Sequence, residues 1–275
     1  MANLSVTTAW NETTAFVGRE SRLLFPLAFM LASLPMAVVG AIMPQSGPNQ
    51  APEGGLWLIL LPIALLVGLI GNLAISYLAL RPATSVGEAI GRGLQRFLPL
   101  VGAVLLLMIA GAVLLLIVAI VTVMLVPGAA TQGASGTPGP AMLAAIGLTM
   151  IILVPFLLFF GARLMPMTPV AAAENGNPFA ILARSWALTS GHTLKLIGLL
   201  LLVGITVSIL SFAVESIAGL AVMATVGSIQ PGSTGAFLVQ LVLAAMNMVV
   251  TAFVTVLIAR IYAQLAGTDQ AGVFV

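Results

Sequence analysis

Apolar residues run almost without interruption through six stretches of the chain: 23–43, 56–80, 98–126, 141–165, 194–214 and 236–262. A hydrocarbon core ~30 Å thick takes about 20 mostly apolar residues per helix, so each run is long enough to cross a bilayer. The pattern predicts an all-α, polytopic transmembrane bundle of six helices. The third run is the longest, ~43 Å as a helix, and is expected to tilt or to begin among the headgroups. Pro35, Pro62 and Pro155 fall inside runs. Each removes a backbone donor and predicts a kink.

The polar stretches between the runs are of two alternating kinds. Connectors 44–55, 127–140 and 227–235 are rich in Pro, Gly and Ser and contain no Lys or Arg. The others carry all nine positive residues: Arg19 and Arg22 before the first run, Arg81, Arg92 and Arg96 before the third, Arg163, Arg184 and Lys195 around the fifth, and Arg260 closing the sixth. Positive residues in short loops stay on the cytoplasmic side. The expected threading is therefore multi-pass with both termini cytoplasmic, in the inner membrane of a bacterial-type cell.

Two basic segments repeat one another. Ser85-Val-Gly-Glu-Ala-Ile-Gly-Arg-Gly-Leu94 and Asn177-Pro-Phe-Ala-Ile-Leu-Ala-Arg-Ser-Trp186 align without a gap. Each opens on a good N-cap residue and places an arginine seven positions later, Arg92 or Arg184, and a large apolar residue two beyond that. On a helical wheel Val86, Ile90, Leu94 and Phe97 form one stripe while Glu88, Arg92, Gln95 and Arg96 face away, as in a helix lying in the membrane interface. In the second segment Phe179, Leu182 and Trp186 oppose Arg184, but Ile181 and Leu188 interrupt the polar side, so part of it is expected to bury against the bundle. A fainter copy with Phe16, Arg19 and Arg22 precedes the first run. The chain reads as a single transmembrane domain, 1–275, with a pseudo-threefold repeat: cytoplasmic interfacial amphipathic helices, each followed by a hairpin, in units of about 1–80, 81–166 and 167–275.

Composition narrows the function classes. The chain is 61% hydrophobic and 6% charged, against roughly 25% charged in a soluble domain. A net charge of +2 gives no basic patch of the kind nucleic acid requires, so none is expected as a partner. There is no cysteine, which excludes disulfides and thiolate chemistry. Residues 1–10 lack a charged leader, and no cleaved signal peptide is expected.

The stretch 175–202, with Pro178 and the core Ala183-Arg-Ser-Trp-Ala-Leu-Thr-Ser-Gly191, resembles the bacterial glycerophosphoryl diester phosphodiesterase membrane-domain family and related uncharacterised six-span inner-membrane proteins. The resemblance implies a polytopic membrane domain that, in some members, is fused to a soluble phosphodiesterase. About a dozen residues follow the sixth run, too few for a catalytic barrel, so the phosphodiesterase activity is not expected here.

Candidate residues fall into two groups. Arg92, Arg184, Trp186, His192 and Lys195 are placed for contact with lipid headgroups or a partner, since Arg pairs with phosphate and Trp favours the interface; snorkelling and topology marking are the competing role for Arg184. His192 is the sole histidine, and a metal there would have to borrow Glu174 or Glu88. Asn72, Glu215 and Asn247 form a second group of intramembrane polar residues. A carboxylate in a span is a functional hypothesis by default, although Glu215 lies ~31 Å along its helix, near the outer interface. Amides such as Asn72, Asn247 and Gln240 most often hydrogen-bond between helices. No triad, phosphate loop or cofactor motif is present, and no enzyme activity is expected. The expected role is a non-enzymatic scaffold or accessory subunit, with membrane lipids, other membrane proteins or a second copy as partners. The alternative is a transporter or channel for a small molecule or ion.

Overall fold

A computed structural model describes residues 4–44, 54–81, 84–126, 139–227, 230 and 232–267. The described residues form helices and connectors, with no strand among them. In chain order the helices are α1 (Val6–Ile42), α2 (Trp57–Leu80), α3 (Val86–Leu125), α4 (Pro140–Leu164), α5 (Met167–Ala173), α6 (Pro178–Leu188), α7 (Thr193–Val226) and α8 (Thr234–Ala266). Six of these, α1 to α4, α7 and α8, are long and apolar enough to span a membrane. The chain is a multi-pass membrane protein. Much of connectors 44–55, 127–140 and 227–235 lies outside the described residues, as do both extremities of the 1–275 domain.

The helices start where short polar side chains can receive orphan backbone donors. Ser85 accepts from Glu88 N at 3.2 Å, Asn177 from Ala180 N at 2.8 Å and Ser233 from Ala236 N at 3.1 Å. They are also longer than the apolar runs. α1 begins at Val6 because Ala9, Thr13, Phe16 and Val17 make a buried stripe through its polar first half. Its path through Pro35 is eased by a π-helical turn at Phe29–Ser33, which reroutes the hydrogen bonds that proline would otherwise break. Pro26 and Pro99 also lie inside helices, beside Pro62 and Pro155.

The two aligned segments fold differently. Ser85 caps one continuous helix of 40 residues, α3, that runs past Arg92 and Arg96 to Leu125. Asn177 instead caps an 11-residue helix, α6, which stops before α7 begins. Gly191 in the turn between them has φ +87°, where an L side chain is strained. The aligned position in the first segment is Pro99, whose fixed φ is compatible with helix. The first copy stays helical through Pro99, and the second breaks at Gly191. Ile181 buries against the bundle, as its place on the polar side predicts. Ala89 and Gly93 are buried in α3 and Ile181 and Ser185 in α6, while Leu94, Phe179 and Trp186 stay exposed.

Helices α1, α2 and α8 pack on one another; α3 lies on α2, α7 on α8, and α4 bridges α3 and α7, closing a ring. The short α5 wedges against α2, α3 and α8. Lipid tails are as apolar as leucine, so close approach of small residues holds such helices together better than apolar bulk does. Accordingly Ala28, Ala74, Ala89, Ala103, Ala252 and Ala259 are fully enclosed. A Cβ on Gly71 would sit 2.8 Å from Leu31 Cβ, and one on Gly93 3.1 Å from Ile70 O. This packing is concentrated at one end. Toward the other, the clusters shrink to Val39, Trp57 and Ala64 and to Ala218, Val222 and Val239. Of α4 only Ala145 and Ala162 are buried.

Candidate functional sites: the basic end and an uncharged cavity

All nine positive side chains gather at the tightly packed end, called here the basic end. Arg19 pairs with the adjacent Glu20 at 3.1 Å. Arg260 is buried with its guanidinium 5.0 Å from the Phe16 ring, joining α8 to α1. Lys195 donates to Leu4 O at 3.3 Å, tying α7 to the residues before α1.

The five candidate contact residues are spread around this end and do not form one site. Arg184 Nε donates to both carboxylate oxygens of Glu174, at 3.0 and 3.1 Å, and Tyr262 donates to Glu174 Oε1 at 2.8 Å. That clamp fixes α6 and α8 to the end of α5. It also commits Glu174, one of the two carboxylates, with Glu88, that a metal at His192 would have to borrow. Trp186 packs against Phe159 and Phe160 and carries the Arg163 guanidinium 4.8 Å from its ring, while Arg163 donates to Trp186 O at 3.3 Å. His192 is half-buried at the start of α7, with Nδ1 enclosed and lacking a hydrogen-bond partner among the described residues.

Arg92 has a different environment. Its guanidinium lies 6.0 Å from the Tyr77 ring, and that of Arg81 lies 5.4 Å from the same ring. Arg96 follows one turn along α3. None of the three forms an ion pair with a described carboxylate, and Nε of both Arg92 and Arg96 is enclosed with no hydrogen-bond partner among the described residues. Two guanidinium groups flanking one tyrosine, with a third one turn further along α3 and none of them ion-paired to a described carboxylate, make an anion-receptive corner between α2 and α3.

The intramembrane group divides in two. Asn72 and Asn247 border one cavity of about 570 Å³ between α1, α2, α3 and α8, together with Ser33, Gln240 and Thr251. A second cavity of about 440 Å³ shares Asn72 and Thr251 and extends along α7 to α5. Thr255 donates to Asn72 Oδ1 at 3.0 Å, the interhelical bond expected of such an amide. Gln240 rests against α1 where a Cβ on Gly40 would come within 2.9 Å of it. No ionisable side chain borders either cavity. Glu215 stands apart, exposed on α7 and bordering neither.

Sequence reasoning missed Tyr262 as the partner of Glu174 and Tyr77 as the platform of Arg81 and Arg92. The chain has two tyrosines, both close to span ends, and that was the available signal.

No curated protein and no solved structure matches the chain. A family described as a domain of unknown function, DUF7847, matches residues 9–265. That match takes in all six long helices, and the chain belongs to the DUF7847 family.

Proposed function

We propose that this protein is a non-enzymatic membrane scaffold or accessory subunit whose basic end faces the cytoplasm of a bacterial-type cell and holds anionic headgroups. The observation that carries the reading is the corner of Arg81, Arg92 and Arg96, which has no described carboxylate partner. A basic residue near an anionic membrane surface contributes ~1 kcal/mol to its attraction. The exposed Phe179 and Trp186 on α6 support the same reading, since they place aromatic rings at the level where headgroups begin. So does the resemblance of 175–202 to membrane domains that accompany other proteins. Three units, each a basic helical segment and a hairpin, give the bundle one end that carries the positive residues and one that carries none, and α6 is the unit's interfacial helix in its separated form. Retention of phosphatidylglycerol by the purified protein, measured by native mass spectrometry, tests the reading. Release of a bare monomer opposes it.

The cavities favour a second reading, transport of a small molecule. Flux of a neutral solute into proteoliposomes above that of empty vesicles is its test, and Glu215→Gln leaves any such flux unchanged because Glu215 borders neither cavity.

A further inference from the structure

We propose that the cavity bordered by Ser33, Asn72, Gln240, Asn247 and Thr251 binds an uncharged amphiphile bearing hydroxyl or amide groups at one end. The inference rests on the cavity alone and stands whether or not the basic end holds lipid. Three observations carry it.

The first is unspent hydrogen-bonding capacity. Ser33 is 5% exposed and Ser76 0%, yet neither hydroxyl has a hydrogen-bond partner among the described residues, and each borders one of the two cavities that share Asn72 and Thr251. By contrast, Ser185 on α6 and Ser216 on α7 turn back onto their own helices, donating to Ile181 O and Phe212 O. Ser33 lies in the π turn, where the regular carbonyl four residues back is displaced. An enclosed hydroxyl without a partner costs about 1–3 kcal/mol, which a ligand oxygen or nitrogen recovers. The side chains of Asn247 and Gln240 likewise make no hydrogen bond to a described residue.

The second is the absence of charge. No Asp, Glu, Lys, Arg or His borders either cavity. An ion brought into such a place carries a desolvation penalty of several kcal/mol with no counter-charge to offset it. A neutral polar group meets no such penalty.

The third is the remaining wall. Met36, Leu65 and Leu243 complete the larger cavity, and Met36 and Leu65 are themselves exposed at its edge. Beyond Val104, Leu105, Met108 and Ile109 of α3 stand clear of the bundle. The side that opens is apolar and suits a hydrocarbon tail, while the amides and hydroxyls suit the head. The volume falls in the usual range of ~300–1,000 Å³ for a small-ligand site.

The test uses full-length protein in nanodiscs with a diazirine-bearing diacylglycerol, photolysis and peptide mapping. Saturable labelling is expected on α1 and α8 at the cavity, displaced by unlabelled diacylglycerol and not by glycerol or phosphatidylglycerol. Asn247→Leu should reduce it about tenfold. Gly68→Leu, which fills the cavity from α2, should abolish it in a protein that elutes and unfolds like wild type. Because Asn247 is exposed to the cavity, a leucine there has space and folding is preserved. Labelling spread over the exposed faces of α3, α4 and α7, or unchanged by both substitutions, overturns the proposal. Displacement by glycerol as effective as by diacylglycerol also overturns it, in favour of a free polyol.

Discussion

Tyr262 on α8 donates a 2.8 Å hydrogen bond to Glu174, the residue that ends α5, and so ties the last span to a carboxylate 88 positions earlier. A hydrogen bond to a charged group contributes about 1.5–3 kcal/mol. Tyr262→Phe is therefore expected to lower stability by that amount in a denaturant titration of the detergent-solubilised protein. Arg184→Gln removes the other partner of Glu174, but that ion pair is partly exposed and contributes only ~0–1 kcal/mol. A larger loss from Arg184→Gln than from Tyr262→Phe would refute this division.

Glycine at 71 is set by contact and glycine at 111 is not. An added Cβ at Gly71 would lie 2.8 Å from Leu31 Cβ, whereas one at Gly111 would meet nothing within 4 Å among the described residues beyond its chain neighbours and its own helix backbone. Gly71→Ala should push α1 from α2 and destabilise by about 1–3 kcal/mol. Gly111→Ala should be neutral or stabilise by ~1 kcal/mol through helix propensity. Equal effects of the two would mean that α1 and α2 do not approach as described.

The turn between α6 and α7 depends on Gly191 at φ +87°, with free space around it. Gly191→Ala costs ~1–2 kcal/mol through backbone conformation alone. The same titration checks it, and no loss of stability would show that the segment is as helical as its counterpart around Pro99.

The spans, their number and the one-sided distribution of positive charge were legible in the sequence because both signals are local: run length and loop composition. The course of the two repeated segments was not. The first copy continues as helix past Pro99 and the second breaks at Gly191, both positions outside the ten residues that align. Among the candidate residues, Asn72 and Asn247 did converge on one cavity, while Glu215 did not join them. Separations of 88 residues between Tyr262 and Glu174, and 183 between Thr255 and Asn72, leave no trace in a local pattern. Extension of α1 back to Val6 was hidden by its polar outer face, although Ala9, Thr13, Phe16 and Val17 carry the inner one.

Threading follows from loop charge and is open to chemical labelling. Cysteines introduced at Gln45 and Thr131 should react with an impermeant maleimide in intact cells, and one at the exposed Asn175 only after permeabilisation. Asn175 is used in preference to Glu174, whose side chain Arg184 and Tyr262 occupy. The reverse pattern would place the basic end outside.

Retention of anionic lipid by the α2–α3 corner tests the central claim most directly. Native mass spectrometry of the protein from mild detergent, offered equal phosphatidylglycerol and phosphatidylcholine, should show phosphatidylglycerol bound in preference. Arg92→Gln and Arg96→Gln should each lower that occupancy about fivefold, as the loss of ~1 kcal/mol per basic residue requires, with unchanged folding. Equal retention of both lipids, or phosphatidylglycerol binding indifferent to the double substitution, would contradict the account.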